Sequence, residues 1–311
     1  MLKKEKPLIT HSPNSYYSGF IAILGAPNVG KSTLLNQILG QKISIISRKP
    51  QTTRNSVSGV LHRPNGQIIF LDTPGIHQSD RLLNRRMVEI AFSAVTDVDI
   101  VLIVVDSNDQ DKISEQVIKN YLEKQKMPVI LAMNKIDCVK KETLLPLIEH
   151  YRSWQTFDSI IPISAKTGEQ VDQLIDEMEK RLPQGPPYYP DDHVTDLPER
   201  FIAAEIIREK IFQLTNKEIP YAVAVTVEQF KEDLHRPLVH VFANIYVERD
   251  SQKGILIGKK GSMLKRIGSR ARKEIERMTG TQVMLKLFVK VQKNWTDDNQ
   301  ALERFGYHSN T

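Results

Sequence analysis

The chain has 311 residues, of which 40% are hydrophobic and 26% are charged. This composition is typical of a folded protein and excludes collagen-like, low-complexity and wholly disordered chains. Because a single hydrophobic core rarely grows beyond about 250–300 residues, the length predicts two domains. The longest apolar run, residues 100–105, is far shorter than the ~20 residues of a membrane-spanning helix. One cysteine, Cys138, permits no internal disulfide, and residues 1–15 lack the apolar stretch of a secretory signal, so we expect a cytosolic protein.

The net charge of +6 is unevenly distributed along the chain. Residues 1–199 carry 23 basic and 24 acidic side chains, whereas residues 200–311 carry 20 basic and 13 acidic ones. The positive charge therefore belongs to the C-terminal third. A basic half of this kind predicts binding to nucleic acid or to an anionic membrane surface.

Residues 17–182 alternate short, β-branched apolar runs with amphipathic stretches. The predicted strands are 20–24, 56–61, 67–71, 100–105, 129–133 and 160–163. The predicted helices are 31–39, 82–96, 113–124, 142–151 and 171–182. This alternation indicates an α/β domain with a mostly parallel sheet covered on both faces. In such a sheet, ligands bind at the carboxyl ends of the strands.

A proline-rich segment, residues 183–198, is predicted to be an interdomain linker, because its prolines prevent helix formation. Beyond it, the pattern predicts a small α+β domain over residues 199–293. Its elements are a helix with one apolar stripe over 199–214, strands over 222–230 and 238–249, a helix over 262–278 and a strand over 283–291. Residues 1–16 are predicted to be an N-terminal tail, and residues 294–311 a short helix and tail.

The first predicted strand leads into a phosphate-binding motif. Residues 25–32 read Gly-Ala-Pro-Asn-Val-Gly-Lys-Ser and match G-x-x-x-x-G-K-[ST]. Glycine lets backbone N–H groups point at phosphate, and the following helix adds the positive end of its dipole. Lys31 is expected to reach the β- and γ-phosphates, and Ser32 to offer a hydroxyl to Mg²⁺. The residues expected to contact the nucleotide here are Gly25, Ala26, Pro27, Asn28, Val29, Gly30, Lys31, Ser32 and Thr33.

Residues 134–137 read Asn-Lys-Ile-Asp and follow the fifth strand. The carboxylate of Asp137 is suited to accept both N1–H and the 2-amino group of guanine. Adenine offers no such donor pair and would leave the carboxylate buried and unpaired, so the motif predicts GTP rather than ATP. Asn134 is expected to tie this loop to the phosphate loop, and the stem of Lys135 to lie along the base. Ser164, Ala165 and Lys166, after the last strand, are expected to complete the guanine pocket.

Two further segments have the pattern of nucleotide-sensing switches. Asp72-Thr-Pro-Gly75 ends the third strand, where Asp72 is expected to hold Mg²⁺ through water and the Gly75 N–H to face the γ-phosphate. The polar segment Gln51-Thr-Thr-Arg54 offers a threonine that would ligate Mg²⁺ only while the γ-phosphate is present. We favour Thr53 as this ligand, and Thr52 remains the alternative. The predicted metal ligands are Ser32, Thr53 and Asp72.

The basic charge is concentrated around a G-x-x-G loop, residues 258–261. Residues 253–277 contain nine basic and two acidic side chains. In KH domains a loop of this kind clamps the backbone of about four nucleotides of RNA. The loop at the start of a helix, in the order α–β–β–α–β, resembles the type II KH fold. The predicted RNA-binding residues are Ile257, Gly258, Lys259, Lys260, Gly261, Lys265, Arg266 and Arg270.

Taken together, the nucleotide motifs and the second domain resemble the Era family of translation-factor-like GTPases over nearly the whole chain. The resemblance implies a P-loop GTPase domain followed by a type II KH domain, with GTP or GDP and Mg²⁺ as ligands. It implies that the KH domain holds the 3′ end of 16S ribosomal RNA during assembly of the small (30S) ribosomal subunit. It also implies a cytoplasmic location with peripheral association with the inner membrane, and we expect a monomer.

Ile76 stands where Ras-like GTPases have the glutamine that orients water. An isoleucine cannot hydrogen-bond water, so the usual catalytic side chain is absent and slow intrinsic hydrolysis is expected. In related GTPases that lack the glutamine, an asparagine placed like Asn28 helps to hold a K⁺ ion. The resemblance extends this hypothesis to Asn28, and the alternative is that Asn28 only stabilises the turn. The groups expected to act in hydrolysis are Lys31, Asn28, Thr53 and Gly75.

Two alternative functions stay open. One is a tRNA-modifying GTPase of the related group, which would need additional cofactor-binding and cysteine-bearing segments that this sequence does not contain. The other is a non-enzymatic RNA scaffold that only binds GTP, which Ile76 favours. Release of phosphate from GTP over many turnovers distinguishes an enzyme from a scaffold.

Overall fold

The computed structural model describes residues 16–47, 49–77, 81–123, 126–154 and 157–308. Nearly all of the predicted N-terminal tail (1–16) and the last three residues of the predicted C-terminal tail lie outside the described residues. Two sheets organise the described part of the chain.

The first sheet carries the nucleotide motifs. Its strands are β1 Tyr17–Leu24, β2 Val57–Arg63, β3 Gly66–Asp72, β4 Ile100–Asp106, β5 Val129–Asn134 and β6 Ser159–Pro162. Their spatial order is β2-β3-β1-β4-β5-β6, with β2 antiparallel to β3 and the other neighbours parallel. Every residue of β4 is buried, as expected for a central strand covered on both faces. The prediction of a mostly parallel α/β sheet is confirmed.

The helices of this domain cover both faces of the sheet. They are α1 Lys31–Leu39, α2 Leu82–Ser93, α3 Lys112–Leu122, α4 Leu144–Arg152 and α5 Val171–Glu179. One apolar core packs α1 and α5 against the sheet, and a second core lies on the opposite face beneath α2, α3 and α4. This topology brings the carboxyl ends of β1, β3, β4 and β5 to one edge, where the predicted motifs follow the strands.

The second sheet belongs to an α+β domain, which confirms that part of the predicted fold. It contains β7 Ala224–Glu232, β8 Leu238–Val247 and β9 Gln282–Val291, with β8 antiparallel to β7 and parallel to β9. Its helices are α6 Glu199–Leu214, α7 Asp250–Ile257 and α8 Ser262–Thr279. Helix α7 was not predicted, because residues 255–257 have the pattern of a short apolar triplet before the G-x-x-G loop. The Gln252 side chain caps this helix by accepting a hydrogen bond from the Arg249 N–H at 3.1 Å, whereas Gly254 in its interior weakens the sequence signal.

Helix α6 differs from its predicted form, because it is buried on more than one face. In addition to its apolar residues, Arg208, Glu209 and Lys210 are buried, with exposures of 1%, 1% and 6%. The helix packs against β7 and α8, and its polar side chains contact Lys42, Ile46 and Thr52 of the first domain. A single apolar stripe was therefore an incomplete prediction, since α6 lies between the two domains.

Two further segments join the domains. The proline-rich segment runs along the first sheet, where the Val60 N–H donates to Val194 O at 2.8 Å and the Thr195 hydroxyl donates to Ser58 O at 2.6 Å. At the C-terminus, a 3₁₀ turn at Trp295–Asp297 and helix α9 Asn299–Arg304 form an apolar cluster with α2 and β7. Among the described residues, none of the helices combines the length and apolar character needed to cross a bilayer.

Candidate nucleotide and RNA sites

The predicted nucleotide motifs surround one large cleft with a volume of about 1430 Å³. The phosphate loop, residues 45–47 and 49–53, Gly75, His77 and the two guanine-pocket loops line it. Phe212, Gln213 and Asn216 of the second domain also line the cleft. The cleft therefore lies between the two domains, which sequence motifs confined to the first domain did not indicate.

The phosphate loop has the backbone geometry of an anion site. Gly30 adopts φ +102° directly before α1, and Asn28 adopts φ +64°. The Lys31 ammonium donates to Gly25 O at 2.9 Å and to Ala26 O at 3.0 Å. Burial lowers the pKa of Lys31 to about 8, and the nearby Asp72 carboxylate only partly opposes this effect. The loop thus holds a buried cation at the point where phosphate is expected.

Three oxygen-bearing side chains meet beside Lys31 and fit the predicted metal site. The Ser32 hydroxyl lies 2.8 Å from the Thr53 hydroxyl and donates to Asp72 Oδ2 at 2.6 Å. The other carboxylate oxygen, Asp72 Oδ1, is buried without a hydrogen-bond partner among the described residues, and burial raises the pKa of this carboxyl. Hydroxyl and carboxylate oxygens are the ligands that Mg²⁺ prefers, often together with substrate phosphates. The Thr52 hydroxyl instead donates to Lys49 O at 2.8 Å.

Ser44 belongs to this cluster, although the sequence analysis did not single it out. Its hydroxyl is buried and donates to Asp72 Oδ2 at 2.7 Å. Asn36 of α1 holds the Ser44 backbone, because its side-chain oxygen accepts the Ser44 N–H at 2.9 Å and its Nδ2 donates to Ser44 O at 2.7 Å. Ser44 has no recognisable motif, so only the folded structure brings it to Asp72.

The guanine-pocket residues form one hydrogen-bonded group. Asn134 Nδ2 donates to Val29 O at 2.7 Å, and Asn134 Oδ1 accepts the Ala165 N–H at 2.9 Å, so this side chain links the two guanine-pocket loops to the phosphate loop. The Ser164 hydroxyl donates to Asp137 Oδ1 at 2.8 Å, and this hydrogen bond is the main reason that the pKa of Asp137 is lowered. The Lys166 ammonium lies 3.9 Å from Asp137 Oδ2.

Asp106, at the end of β4, is a further residue that the motifs did not identify. Its carboxylate forms an ion pair with Lys135, whose backbone adopts φ +67°. The signal was present in the sequence, since Asp106 ends an apolar strand in the same way that Asp72 does. The ion pair fixes the Lys135 stem at the wall of the cleft.

Ile76 lies in the hydrophobic core, with an exposure of 0%. Its neighbour His77 lines the cleft instead. The His77 ring lies 2.9 Å from Gly75 O through Nδ1 and 2.9 Å from Gln51 Nε2 through its own Nε2. His77, two residues beyond the predicted switch segment 72–75, therefore contacts Gln51 of the other predicted segment.

The G-x-x-G loop connects α7 to α8 through a tight turn. Gly258, Lys260 and Gly261 adopt positive φ values of 72°, 51° and 78°. Lys259 and Lys260 are exposed at the turn, and Lys265, Arg266 and Arg270 are exposed on α8. The predicted basic residues thus share one exposed surface at the start of α8.

A groove of about 330 Å³ lies between α8 and β9. Lys265 and Arg272 stand at its polar side, and Leu264, Leu285 and Leu287 supply its apolar lining. Ile257, predicted to bind RNA, is not among the lining residues and lies in the last turn of α7. Ile257 is half-buried there, and its role in RNA binding stays a prediction.

Comparison with known protein families finds matches in both domains. Residues 20–135 match the family described as 50S ribosome-binding GTPase, and residues 218–296 match the KH domain family. GTPase Era of Geobacter metallireducens is 54% identical over 296 residues, which cover 95% of this chain and 99% of that protein. GTPase Era of Syntrophus aciditrophicus is 53% identical over 293 residues, which cover 94% of this chain and 96% of that protein.

Two crystal structures are similar over both domains. Era in complex with MgGDPNP and nucleotides 1506–1542 of 16S ribosomal RNA matches with a TM-score of 0.91 at 42% identity, covering 94% of this chain and 99% of that chain. A point variant of Aquifex aeolicus Era bound to GDP·AlF₄⁻ matches with a TM-score of 0.90 at the same identity and coverage. Scores this high over a two-domain chain require the same mutual orientation of the domains, so the present arrangement is the one seen in those nucleotide-bound proteins.

Proposed function

This chain belongs to the Era family of GTPases, and on that premise we propose that it couples GTP hydrolysis to binding of the 3′ end of 16S ribosomal RNA and so assists assembly of the small ribosomal subunit. The main support is the match of both domains, in one orientation, to an Era structure that contains MgGDPNP and a 16S RNA segment. The relatives described above, which cover 94–95% of this chain, are Era GTPases.

In this proposal the phosphate loop and Lys31 bind the β- and γ-phosphates, and Asp137 selects guanine. Ser32, Thr53 and Asp72 hold Mg²⁺, which neutralises charge on the phosphate oxygens when it is bound. The buried ammonium of Lys31 and the backbone N–H groups stabilise negative charge that develops on the γ-phosphate during in-line attack by water. Gly75 lies against the phosphate loop, and in this proposal its N–H binds the same phosphate.

A K⁺ ion is a further proposed component of the site. The Asn28 side chain is exposed at the cleft and extends from a loop residue with φ +64°. Its carboxamide oxygen is a suitable K⁺ ligand, and the ion would compensate phosphate charge where Ile76 supplies no polar group. Hydrolysis at equal ionic strength in KCl and NaCl tests this proposal, and equal rates in the two salts would contradict it.

RNA is proposed to bind across the G-x-x-G turn and along the groove between α8 and β9. Lys259 and Lys260 are placed for phosphate contacts, and the apolar groove lining is suited to unstacked bases of a single strand. The same basic surface supports the proposed peripheral association with an anionic membrane. We propose a monomeric, cytoplasmic protein, with the 30S subunit as its partner.

The double variant Lys259→Asp and Lys260→Asp tests the RNA site. It should abolish binding to an RNA with the 3′-terminal sequence of 16S ribosomal RNA and leave GDP binding unchanged. Lys140→Asp with Lys141→Asp is a matched control, because these adjacent lysines are also exposed but lie on the GTPase domain. Persistent RNA binding by the first variant, or equal loss by both, would contradict the assignment.

The alternative of a non-enzymatic scaffold rests on Ile76, which is buried away from the cleft, whereas the family to which the chain belongs consists of GTPases. Phosphate release over many turnovers, with and without the RNA, separates the two candidates. We expect slow release that RNA accelerates, whereas absence of release under both conditions would favour the scaffold.

A further inference from the structure

We propose that Arg54 is a positioning residue, which holds Thr53 at the metal site by anchoring the neighbouring backbone to the second domain. The affinity for Mg²⁺ and GTP would then depend on the second domain being docked as it is here. This inference rests on the proposed GTP site and adds to it the residue that connects the site to the RNA-binding domain.

The Arg54 side chain leaves the GTPase domain and is enclosed by the other one, with an exposure of 1%. Its guanidinium donates to Val223 O at 2.7 Å, Tyr221 O at 3.0 Å and Pro220 O at 3.1 Å. A fourth hydrogen bond goes to the Tyr307 hydroxyl at 3.2 Å. Two nitrogens of one side chain therefore bind the turn before β7 and the C-terminal segment together.

Aromatic rings complete the enclosure. The rings of Phe212, Trp295 and Tyr307 lie with their centroids 5.8–6.0 Å from the Arg54 guanidinium carbon. The four hydrogen-bond acceptors are neutral oxygens. Burial lowers the pKa of Arg54, because desolvation disfavours its charged form. A planar guanidinium with several donors suits this combination of carbonyls and rings better than a lysine ammonium would.

The backbone next to Thr53 is fixed on both sides. Arg208 of α6 donates from Nη2 to Thr52 O at 2.5 Å, and Arg208 is itself buried with an ion pair to Glu205. Arg54 supplies the anchor on the other side. Between the two anchored positions, the Thr53 hydroxyl lies 2.8 Å from the Ser32 hydroxyl, at the proposed metal site.

This arrangement has a thermodynamic consequence. A threonine at this position contributes to binding only when Mg²⁺ and the γ-phosphate are both present. If Arg54 holds Thr53 there, loss of the anchor should weaken binding of a GTP analogue more than binding of GDP. By linkage, GTP binding would favour the docked orientation of the second domain by the same factor.

The first experiment compares dissociation constants for GDPNP and GDP, with Mg²⁺ present, in the wild type and in Arg54→Ala. Coupling between two sites typically changes an affinity by about 5–150-fold. We therefore expect the affinity of Arg54→Ala to fall roughly tenfold for GDPNP and less than about twofold for GDP. Arg63→Ala is the matched control, because Arg63 pairs with Asp176 and Glu179 within the GTPase domain. Equal losses for both nucleotides, or no loss for either, would overturn the proposal.

A second measurement asks whether Arg54 acts through Thr53. In a Thr53→Ala background, Arg54→Ala should have no further effect on the ratio of GDPNP to GDP affinity, and an additive effect would overturn the proposal. If Arg54→Ala does not fold, Tyr307→Phe removes one acceptor and should change the same ratio in the same direction by a smaller factor. Failure of the wild type to bind either nucleotide would instead overturn the proposed GTP site.

Discussion

Gly75 and Pro27 lie so close together that a methyl group on Gly75 would stand 2.7 Å from the Pro27 Cα and 2.8 Å from its nitrogen. The loop after β3 therefore touches the phosphate loop directly. This contact places Gly75 at the wall of the cleft, beside the loop that is expected to hold the γ-phosphate. Only glycine fits this position without moving one of the two loops, since the clash involves backbone atoms.

Gly75→Ala should therefore separate GTP binding from GDP binding. Displacement of the loop after β3 removes a γ-phosphate contact worth about 1.5–3 kcal/mol for a hydrogen bond to a charged group. We expect roughly a tenfold or greater loss of GDPNP affinity, with GDP affinity almost unchanged, measured by calorimetry. Gly254→Ala is the control, because a methyl group on Gly254 meets no atom within 4 Å, and it should leave both affinities unchanged.

Asp137→Asn should change the base that the cleft prefers. The asparagine carboxamide offers one donor and one acceptor, which matches xanthine, whose C2 carries a carbonyl instead of an amino group. Affinity for GTP should fall by about 10⁴ and affinity for xanthosine triphosphate should rise. Asp109→Asn, at another part of the same cleft, should keep the preference for GTP. Retained preference for GTP by Asp137→Asn would contradict the proposed guanine pocket.

Nucleotide binding should take up a proton in mildly alkaline solution. Burial lowers the pKa of Lys31 to about 8 in the nucleotide-free protein, and bound phosphate would raise that pKa by supplying negative charge. Above about pH 8 the free protein has lost a proton that the complex retains, so affinity should fall as the pH rises, by at most about tenfold per pH unit.

Calorimetry in two buffers of different ionisation enthalpy measures this uptake. At about pH 9 we expect binding to take up nearly one proton. At about pH 6.5 Lys31 should take up almost none, because its ammonium is charged in both the free protein and the complex. The absence of uptake at the higher pH would show that the Lys31 ammonium keeps its proton in the free protein.

The motif-bearing half of the site could be predicted from the sequence for a physical reason. The phosphate and guanine motifs follow apolar strands directly, and parallel strands bring their carboxyl ends to one edge. The contacts of Asn134 with the phosphate loop and of Ser164 with Asp137 follow from that topology. Ser44 could not be predicted, because its approach to Asp72 depends on Asn36 and not on a local pattern.

The contacts between the domains were also beyond the sequence analysis. Arg208, Glu209 and Lys210 have the sequence pattern of a solvated helix face, yet they are buried. Arg208 and Glu209 contact Thr52 and Lys42 of the other domain, and Lys210 pairs with Glu209 and Glu274. Arg54 finds its partners 166 to 253 positions away along the chain. Helix α7 was missed because Gly254 and the preceding cap obscure a helix of eight residues.

Four alternating charges at the domain interface form a closed network. Glu209 accepts from Lys42 of the GTPase domain at 2.7 Å and from Lys210 at 2.5 Å, and both lysines also pair with Glu274 of α8. Glu209 Oε1 further accepts the Ile46 N–H at 3.0 Å. The side chains of Glu209 and Lys210 are only 1% and 7% exposed, so solvent compensates little for a lost partner.

Glu209→Gln should therefore lower the free energy of unfolding by about 3 kcal/mol. The substitution leaves Glu274 as the carboxylate that the Lys42 ammonium and the buried Lys210 ammonium share. Urea denaturation should show a lower midpoint at an unchanged slope. Glu149→Gln is the matched control, since Glu149 forms an ion pair of 2.8 Å with Arg152 but both side chains are more than 60% exposed, and no measurable loss is expected there. Equal stabilities of Glu209→Gln and the wild type would show that the network contributes no net stability.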